Sequence, residues 1–165
     1  SKDKKIRGFV WYENTGGSWY SNCSVIQYKT LNGKTFAHSL MDGLMHNGEY
    51  YESVYKLKSK NNLYLIKAGV RGCNTCCAEM MYVLQLTKDS ADFNYPAFPG
   101  NSPYHKVDAR CGNITEFSFD EAKQTIKVQY GEDDISTSMY SDTLKFINGA
   151  VNYLLEFDGK TFKQK

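Results

Sequence analysis

Residues 115–130 have the sequence TEFSFDEAKQTIKVQY, and this stretch decides the fold class. Apolar and polar side chains alternate over residues 115–119 and again over residues 126–130. Alternation with a period of two is typical of a strand with one buried face, because successive side chains point to opposite sides of a sheet. A short polar turn at residues 120–123 joins the two runs, so the stretch predicts a β-hairpin.

The same combination of strand-like runs and turn signals recurs along most of the chain. Asn32-Gly33 separates residues 22–30 from residues 35–41, and an Asn-Gly pair in that position is the strongest short signal of a hairpin. The other strand-like runs are residues 6–13, 50–58, 63–70, 76–86, 144–147, 151–157 and 161–163. Residues 63–70 are almost continuously apolar, which predicts a strand at the centre of a sheet.

Residues 76–86 contain the one serious competitor to a strand. Ala78-Glu-Met-Met81 are good helix formers, so a short helix is the alternative there. We favour a strand, because Tyr82-Val-Leu84 follow directly and residues 63–70 supply a hairpin partner.

The predicted fold class is all-β, with little helix and about ten short antiparallel strands in a meander. Strand spacing leaves a sandwich, a barrel and a propeller-like arrangement open. Residues 87–113 hold all three prolines and little periodicity, and this region is expected to be a long loop. Residues 6–165 are expected to form a single β domain, preceded by a disordered tether at residues 1–5.

Composition narrows the classes of partner. The formal net charge of +2 with scattered lysines does not indicate nucleic acid. No apolar run approaches the roughly 20 residues of a transmembrane helix. Bacterial lipoproteins often carry a short charged tether after their acylated cysteine, so a lipid anchor upstream of Ser1 is a hypothesis.

Five cysteines give an odd count: Cys23, Cys73, Cys76, Cys77 and Cys111. All five are candidates for disulfides, and an oxidising compartment would leave at least one thiol unpaired. Cys73, Cys76 and Cys77 contain a Cys-x-x-Cys that could bind a metal, form a redox pair or close a loop. Zinc requires four ligands, and no second paired Cys or His spacing supplies the rest. We favour a disulfide that includes one of these three, and we predict no cofactor.

Aromatic side chains cluster beside two turn regions. The candidates for a binding surface are Trp11, Trp19, Tyr20, Tyr95 and Tyr104. Rings exposed on a rigid β scaffold can stack on sugars or anchor a protein partner, and the alternative is that they cap the core.

No catalytic signature is present. The sequence lacks Gly-x-Ser-x-Gly, His-Glu-x-x-His and a phosphate-binding loop. Glu79 and Glu116 are candidate carboxylates for a glycosidase, but their spacing does not pair them. The sequence therefore predicts no catalytic residues, and a hydrolase with an unrecognised site is kept only as an alternative.

Three stretches carry a family resemblance: Tyr64-Leu-Ile-Lys-Ala-Gly-Val70, the hairpin at residues 115–130, and Tyr153-Leu-Leu-Glu-Phe-Asp-Gly-Lys-Thr-Phe162. Together they resemble uncharacterised secreted or lipoprotein-like β-rich proteins of Bacteroides-type bacteria. The resemblance spans about residues 50–165 and implies a periplasmic, cell-surface or secreted location. It carries over no catalytic residues.

These observations favour a non-catalytic extracytoplasmic β module that binds a glycan or a protein. One alternative is a small β-barrel that binds an apolar ligand in its interior. Another is the hydrolase named above.

The disulfide hypothesis makes a prediction about free thiols. In protein prepared under oxidising conditions, non-reducing mass spectrometry after alkylation should find one or three free thiols, because each bridge consumes two of the five. The reduced sample is the control and should show all five. Five free thiols in both samples would contradict the hypothesis.

Overall fold

The computed structural model describes residues 1–13, 21–39, 49–71, 76–110, 114–131, 146–147 and 150–165. Its strands are β1 Ile6–Glu13, β2 Ser21–Lys29, β3 Thr35–Ser39, β4 Glu49–Lys56, β5 Leu63–Arg71, β6 Cys76–Leu86, β7 Ala91–Asp92, β8 Tyr104–Arg110, β9 Ile114–Asp120, β10 Thr125–Gly131, β11 Phe146–Ile147, β12 Ala150–Phe157 and β13 Phe162–Gln164. A single 3-10 turn, Pro99–Asn101, is the only helical element in these ranges. The all-β prediction is confirmed.

The strands form three antiparallel sheets. The N-terminal sheet is β1-β2-β3, the central sheet contains β4 to β8, and the C-terminal sheet contains β9 to β13. Each sheet has open edges among the described residues, so the sheets do not close into a barrel. The arrangement is sandwich-like, and it removes the support for an apolar ligand inside a barrel.

The central sheet is buried on both faces. In β5, Leu63 and Leu65 pack toward the C-terminal sheet, whereas Tyr64, Ile66 and Ala68 pack toward the N-terminal sheet. Because side chains alternate along a strand, a strand buried on both faces must be apolar at successive positions. This explains the continuous apolar run that predicted a central strand.

The predicted hairpins are present. β9 pairs with β10 around the turn at residues 121–124, and β2 pairs with β3 around Gly33, whose φ of +89° suits glycine. Residues 76–86 are a strand, with Met80 opposite Ala68 and Met81 opposite Lys67. The helix alternative is therefore wrong.

The expectation of a long loop over residues 87–113 is wrong in part. Tyr104–Arg110 is strand β8, which pairs with β6, and Ala91–Asp92 is a short strand on the same partner. Of the β8 side chains that the structure describes, only Val107 is fully buried, because β8 lies at the edge of the central sheet. Its sequence therefore shows too little apolar alternation to predict a strand. The three prolines all precede β8.

Residues 1–5, for which the sequence predicts a disordered tether, instead form a turn packed on the central sheet. The buried Tyr64 hydroxyl donates a hydrogen bond of 2.7 Å to Asp3, and Lys56 lies 3.2 Å from the same carboxylate. The Ile6 amide donates to the Ser1 hydroxyl at 3.0 Å. Burial, together with the hydrogen bond to Asp3, raises the pKa of Tyr64.

Gln124 links the central and C-terminal sheets. Its side-chain oxygen accepts a hydrogen bond of 2.8 Å from the Lys58 amide, just after β4. Its side-chain nitrogen donates to the Glu121 carbonyl at 2.8 Å. Only 5% of Gln124 is exposed. Water therefore cannot easily replace its side-chain oxygen as the acceptor for the Lys58 amide.

We predict that Gln124→Ala lowers the free energy of unfolding by about 1–3 kcal/mol, since it leaves the Lys58 amide without this acceptor. Glutamine and alanine both carry a Cβ, so the energetic cost of the positive φ of 57° at position 124 is the same in the wild type and the variant. Urea denaturation measures the difference. Lys123→Ala is the matched control in the same turn and should change stability by less than about 0.5 kcal/mol. Equal effects of the two substitutions would contradict the role of Gln124.

Candidate functional site

Exposed rings lie side by side on the first strand. Phe9 is 50% exposed and Trp11 is 46% exposed, and alternation puts both side chains on the same face of β1 as Arg7. Ile6, on the opposite face, is fully buried against the central sheet. The rings therefore point away from the core.

Gly8 explains how β1 sits so close to the central sheet. A Cβ at position 8 would lie 3.3 Å from the Cβ of Tyr51 in β4, which is tighter than ordinary van der Waals contact. The absence of a side chain lets the two backbones approach. The lack of a side chain at Gly8 thus allows the start of β1 to lie against β4. The odd-numbered residues on either side of Gly8 face solvent.

The strand register extends this surface over the rest of the N-terminal sheet. Val25 lies opposite Phe9, and Gln27 lies opposite Arg7. On the third strand, Ala37 lies opposite Gln27 and Ser39 opposite Val25. We call this surface the outer aromatic face; its members are Arg7, Phe9, Trp11, Val25, Gln27, Ala37 and Ser39. Cys23, which lies opposite Trp11 on the same face, is only 8% exposed. The face presents two aromatic rings, Phe9 and Trp11, and two long polar side chains, Arg7 and Gln27. The shorter side chains of Val25, Ala37 and Ser39 lie beside them.

The five predicted binding rings have different outcomes. Trp11 is on the outer aromatic face, whereas Tyr104 is 45% exposed on β8 of the central sheet. Tyr95 is 9% exposed and packs in the core between the central and C-terminal sheets, as in the alternative that these rings cap the core. Trp19 and Tyr20 lie outside the described residues. Phe9 was missed, although its two-residue spacing from Trp11 could have identified it.

A polar cluster lies between the central and C-terminal sheets. Lys67 of β5 forms ion pairs with Glu52 at 2.9 Å and Glu79 at 2.8 Å. A β-bulge between Tyr51 and Ser53 leaves Glu52 unpaired in the ladder, beside Ser53, which lies opposite Lys67. Burial favours the neutral amine, but the two carboxylates outweigh it and raise the pKa of Lys67.

His105 of β8 continues this cluster toward the C-terminal sheet. Its Nε2 and the Tyr153 hydroxyl of β12 share a hydrogen bond of 2.5 Å. Phe98 stacks on the imidazole at 5.8 Å between ring centroids, and the Phe117 ring lies at 6.1 Å. Burial lowers the pKa of His105 to about 4, so the imidazole is neutral at pH 7. This contact connects two sheets.

The two carboxylates considered for glycoside hydrolysis do not converge. Glu79 points into the space between sheets, where it pairs with Lys67. Glu116 lies on the outer face of the C-terminal sheet and pairs with Lys127 at 2.5 Å. The pair cannot flank one glycosidic bond.

Only some of the cysteines lie within the part of the chain that the structure describes. Cys23 is buried in β2 opposite Trp11. Cys76 and Cys77 lie in β6, and the register puts Cys76 opposite Arg110, the residue before Cys111 in sequence. Their side chains, together with Cys73 and Cys111, lie outside the described parts, so the disulfide and metal predictions remain predictions. Among the described residues, no group of three or more His, Cys, Asp or Glu side chains is placed to hold a metal ion.

No family model, curated protein or solved structure matches this chain. Within the described ranges there is no helix with the length and hydropathy needed to span a membrane.

The partly buried His105 makes stability depend on pH. Between the ordinary pKa of 6.5 and about 4, the unfolded chain binds a proton at His105 that the folded chain does not. The free energy of unfolding should therefore fall as the pH is lowered through this window, with a slope approaching about 1.4 kcal/mol per pH unit from this one group. Above the ordinary pKa of 6.5, the contribution of neutral His105 to the free energy of unfolding is fully present.

His105→Gln removes this titration, and the carboxylates that titrate in the same range are common to both proteins. Urea denaturation from about pH 7.5 to about pH 4.5 should show the wild type losing its advantage over the variant. Parallel pH profiles for the two proteins would show that His105 does not titrate as proposed.

Proposed function

We propose that this chain is a non-catalytic β module that binds a glycan through the outer aromatic face. The observation that carries the proposal is the pair of half-exposed rings, Phe9 and Trp11, on one face of one strand. A large apolar surface left in water on a folded protein commonly marks a binding site.

The chemistry of the face suits a sugar. The C–H face of a pyranose ring is apolar and flat, and it can pack against an aromatic ring while its hydroxyls stay at the edge. Arg7 and Gln27 lie on the same face beside the rings and can donate hydrogen bonds to those hydroxyls. Ala37 and Ser39 on the third strand are short, so an extended chain of sugars could lie across the sheet.

The strand that carries the rings is continuously paired, so the rings do not need to be rearranged before a ligand binds. The rings stand on a strand with a continuous register to β2, from Ile6–Tyr28 to Glu13–Ser21. A rigid platform loses little conformational entropy when a ligand binds. A protein partner could use the same rings as anchors, and it is the competing outcome of the test below.

The proposed location is outside the cytoplasm. The resemblance to secreted or lipoprotein-like proteins supports it. A lipid anchor upstream of Ser1 belongs to the same proposal.

Substitution of the central ring tests the function. Trp11→Ala should weaken binding to polysaccharide at least about tenfold, because a stacked Trp contributes more than about 1.4 kcal/mol. Affinity electrophoresis against a panel of neutral and acidic polysaccharides identifies a ligand, and isothermal titration calorimetry with that ligand measures the loss.

Leu154→Ala is the matched control. Leu154 is 41% exposed on the outer face of the C-terminal sheet, so its loss should leave the affinity unchanged. Melting temperatures establish that both variants are folded. The proposal fails if no polysaccharide in the panel binds, or if Trp11→Ala binds as tightly as the wild type.

A further inference from the structure

Strand β1 has a second feature besides its rings, which is an unpaired edge. It lies at the end of the sheet order β1-β2-β3 and pairs only with β2 among the described strands. Within the same part of the chain, residues 7–13 make no backbone hydrogen bond outside that ladder. In an antiparallel ladder, alternate residues direct their N–H and C=O groups away from the partner. Among the described residues nothing takes up these groups, and an edge of this kind can accept a further strand.

The unpaired edge is also apolar on both sides of the strand. Phe9, Val10 and Trp11 are consecutive, and they are 50%, 45% and 46% exposed. Val10 faces the opposite way from the two rings, so neither side of β1 is covered at this point. An exposed apolar edge strand is a template for strand addition.

The sequence of β1 is complementary to itself. In an antiparallel pair of two β1 strands centred on Val10, position 9 of one copy faces position 11 of the other. Phe9 then lies beside Trp11 of the second copy, and cross-strand aromatic pairs stabilise sheets. Position 7 of one copy faces position 13 of the other. In this sequence position 7 is Arg and position 13 is Glu. The register therefore sets residues of opposite formal charge at opposed positions at both ends of the pairing.

We propose that two copies of this chain associate by antiparallel pairing of their β1 strands, which joins two three-stranded N-terminal sheets into one continuous sheet. The two-fold axis runs perpendicular to the sheet, so both outer aromatic faces lie on the same side. Phe9 and Trp11 of each copy then form one uninterrupted strip of rings. The ligand of this strip rests on the proposed function, and an extended glycan would span both copies.

The association is tested by sedimentation of the full chain over a range of concentrations. The wild type should show a monomer–dimer equilibrium. Val10→Lys should shift the dimer dissociation constant upward at least about tenfold, because it places two like charges opposite each other at the centre of the pairing. Leu154→Lys places the same charge at an exposed apolar site elsewhere and should dimerise like the wild type.

The register has its own test. Arg7→Glu should weaken the dimer by placing like charges at both ends, and the double variant Arg7→Glu/Glu13→Arg should restore it. Hydrogen exchange should show the amides of β1 gaining protection with concentration in the wild type and not in Val10→Lys. Circular dichroism and melting temperatures establish folding.

A wild type that stays monomeric up to about 100 μM, well above the Kd of specific association, overturns the proposal. So does a double variant no better than Arg7→Glu, or a Leu154→Lys as defective as Val10→Lys. Glycan affinity separates the two proposals. A dimer that binds no polysaccharide refutes the proposed function alone, whereas glycan binding by a wild type that never dimerises refutes the association alone.

Discussion

The burial of both faces of the central sheet is the constraint on which the other features depend. Leu63 and Leu65 on one side of β5, and Tyr64 and Ile66 on the other, are fully buried. Neither face can be left in water without losing the main driving force for folding. Each face therefore needs a covering sheet, and the N-terminal and C-terminal sheets supply the two covers. The three-layer order follows from the apolar character of one strand.

The polar groups between layers obey the same constraint. Lys67 lies in β5 on the face that is otherwise apolar, and a buried charge must be paired to be tolerated. Two carboxylates pair with it: Glu52, which stands at the β-bulge in β4, and Glu79 of β6. His105 is partly buried nearby and stays neutral at pH 7, and it is hydrogen-bonded to Tyr153 of the C-terminal sheet. The ion pairs of Lys67 tie together three strands of the central sheet, whereas the His105–Tyr153 hydrogen bond joins that sheet to the C-terminal sheet.

Local pattern predicted most of the strands, but not how they assemble. Alternation and turn chemistry identified the hairpin at residues 115–130 and the turn at Asn32-Gly33, since both depend on neighbouring residues. Strand β8 was missed because its partner β6 lies about twenty residues earlier and its edge position relaxes the apolar pattern. Of the candidate site, Trp11 was predicted and Tyr95 was not separable from it, because exposure is decided by the third dimension.

The two outer sheets show why the outer aromatic face calls for a function. Both sheets cover the central sheet with one face and turn the other face away from it. The outer face of the C-terminal sheet carries ion pairs, Glu116 with Lys127 and Glu156 with Lys165. Charged side chains of this kind keep a solvated sheet soluble and unpaired. The N-terminal sheet has the same structural task, yet β1 places Phe9, Val10 and Trp11 in solvent. Ion pairs such as those of the C-terminal sheet are replaced here by exposed apolar side chains, and the proposed binding and association both rest on this difference.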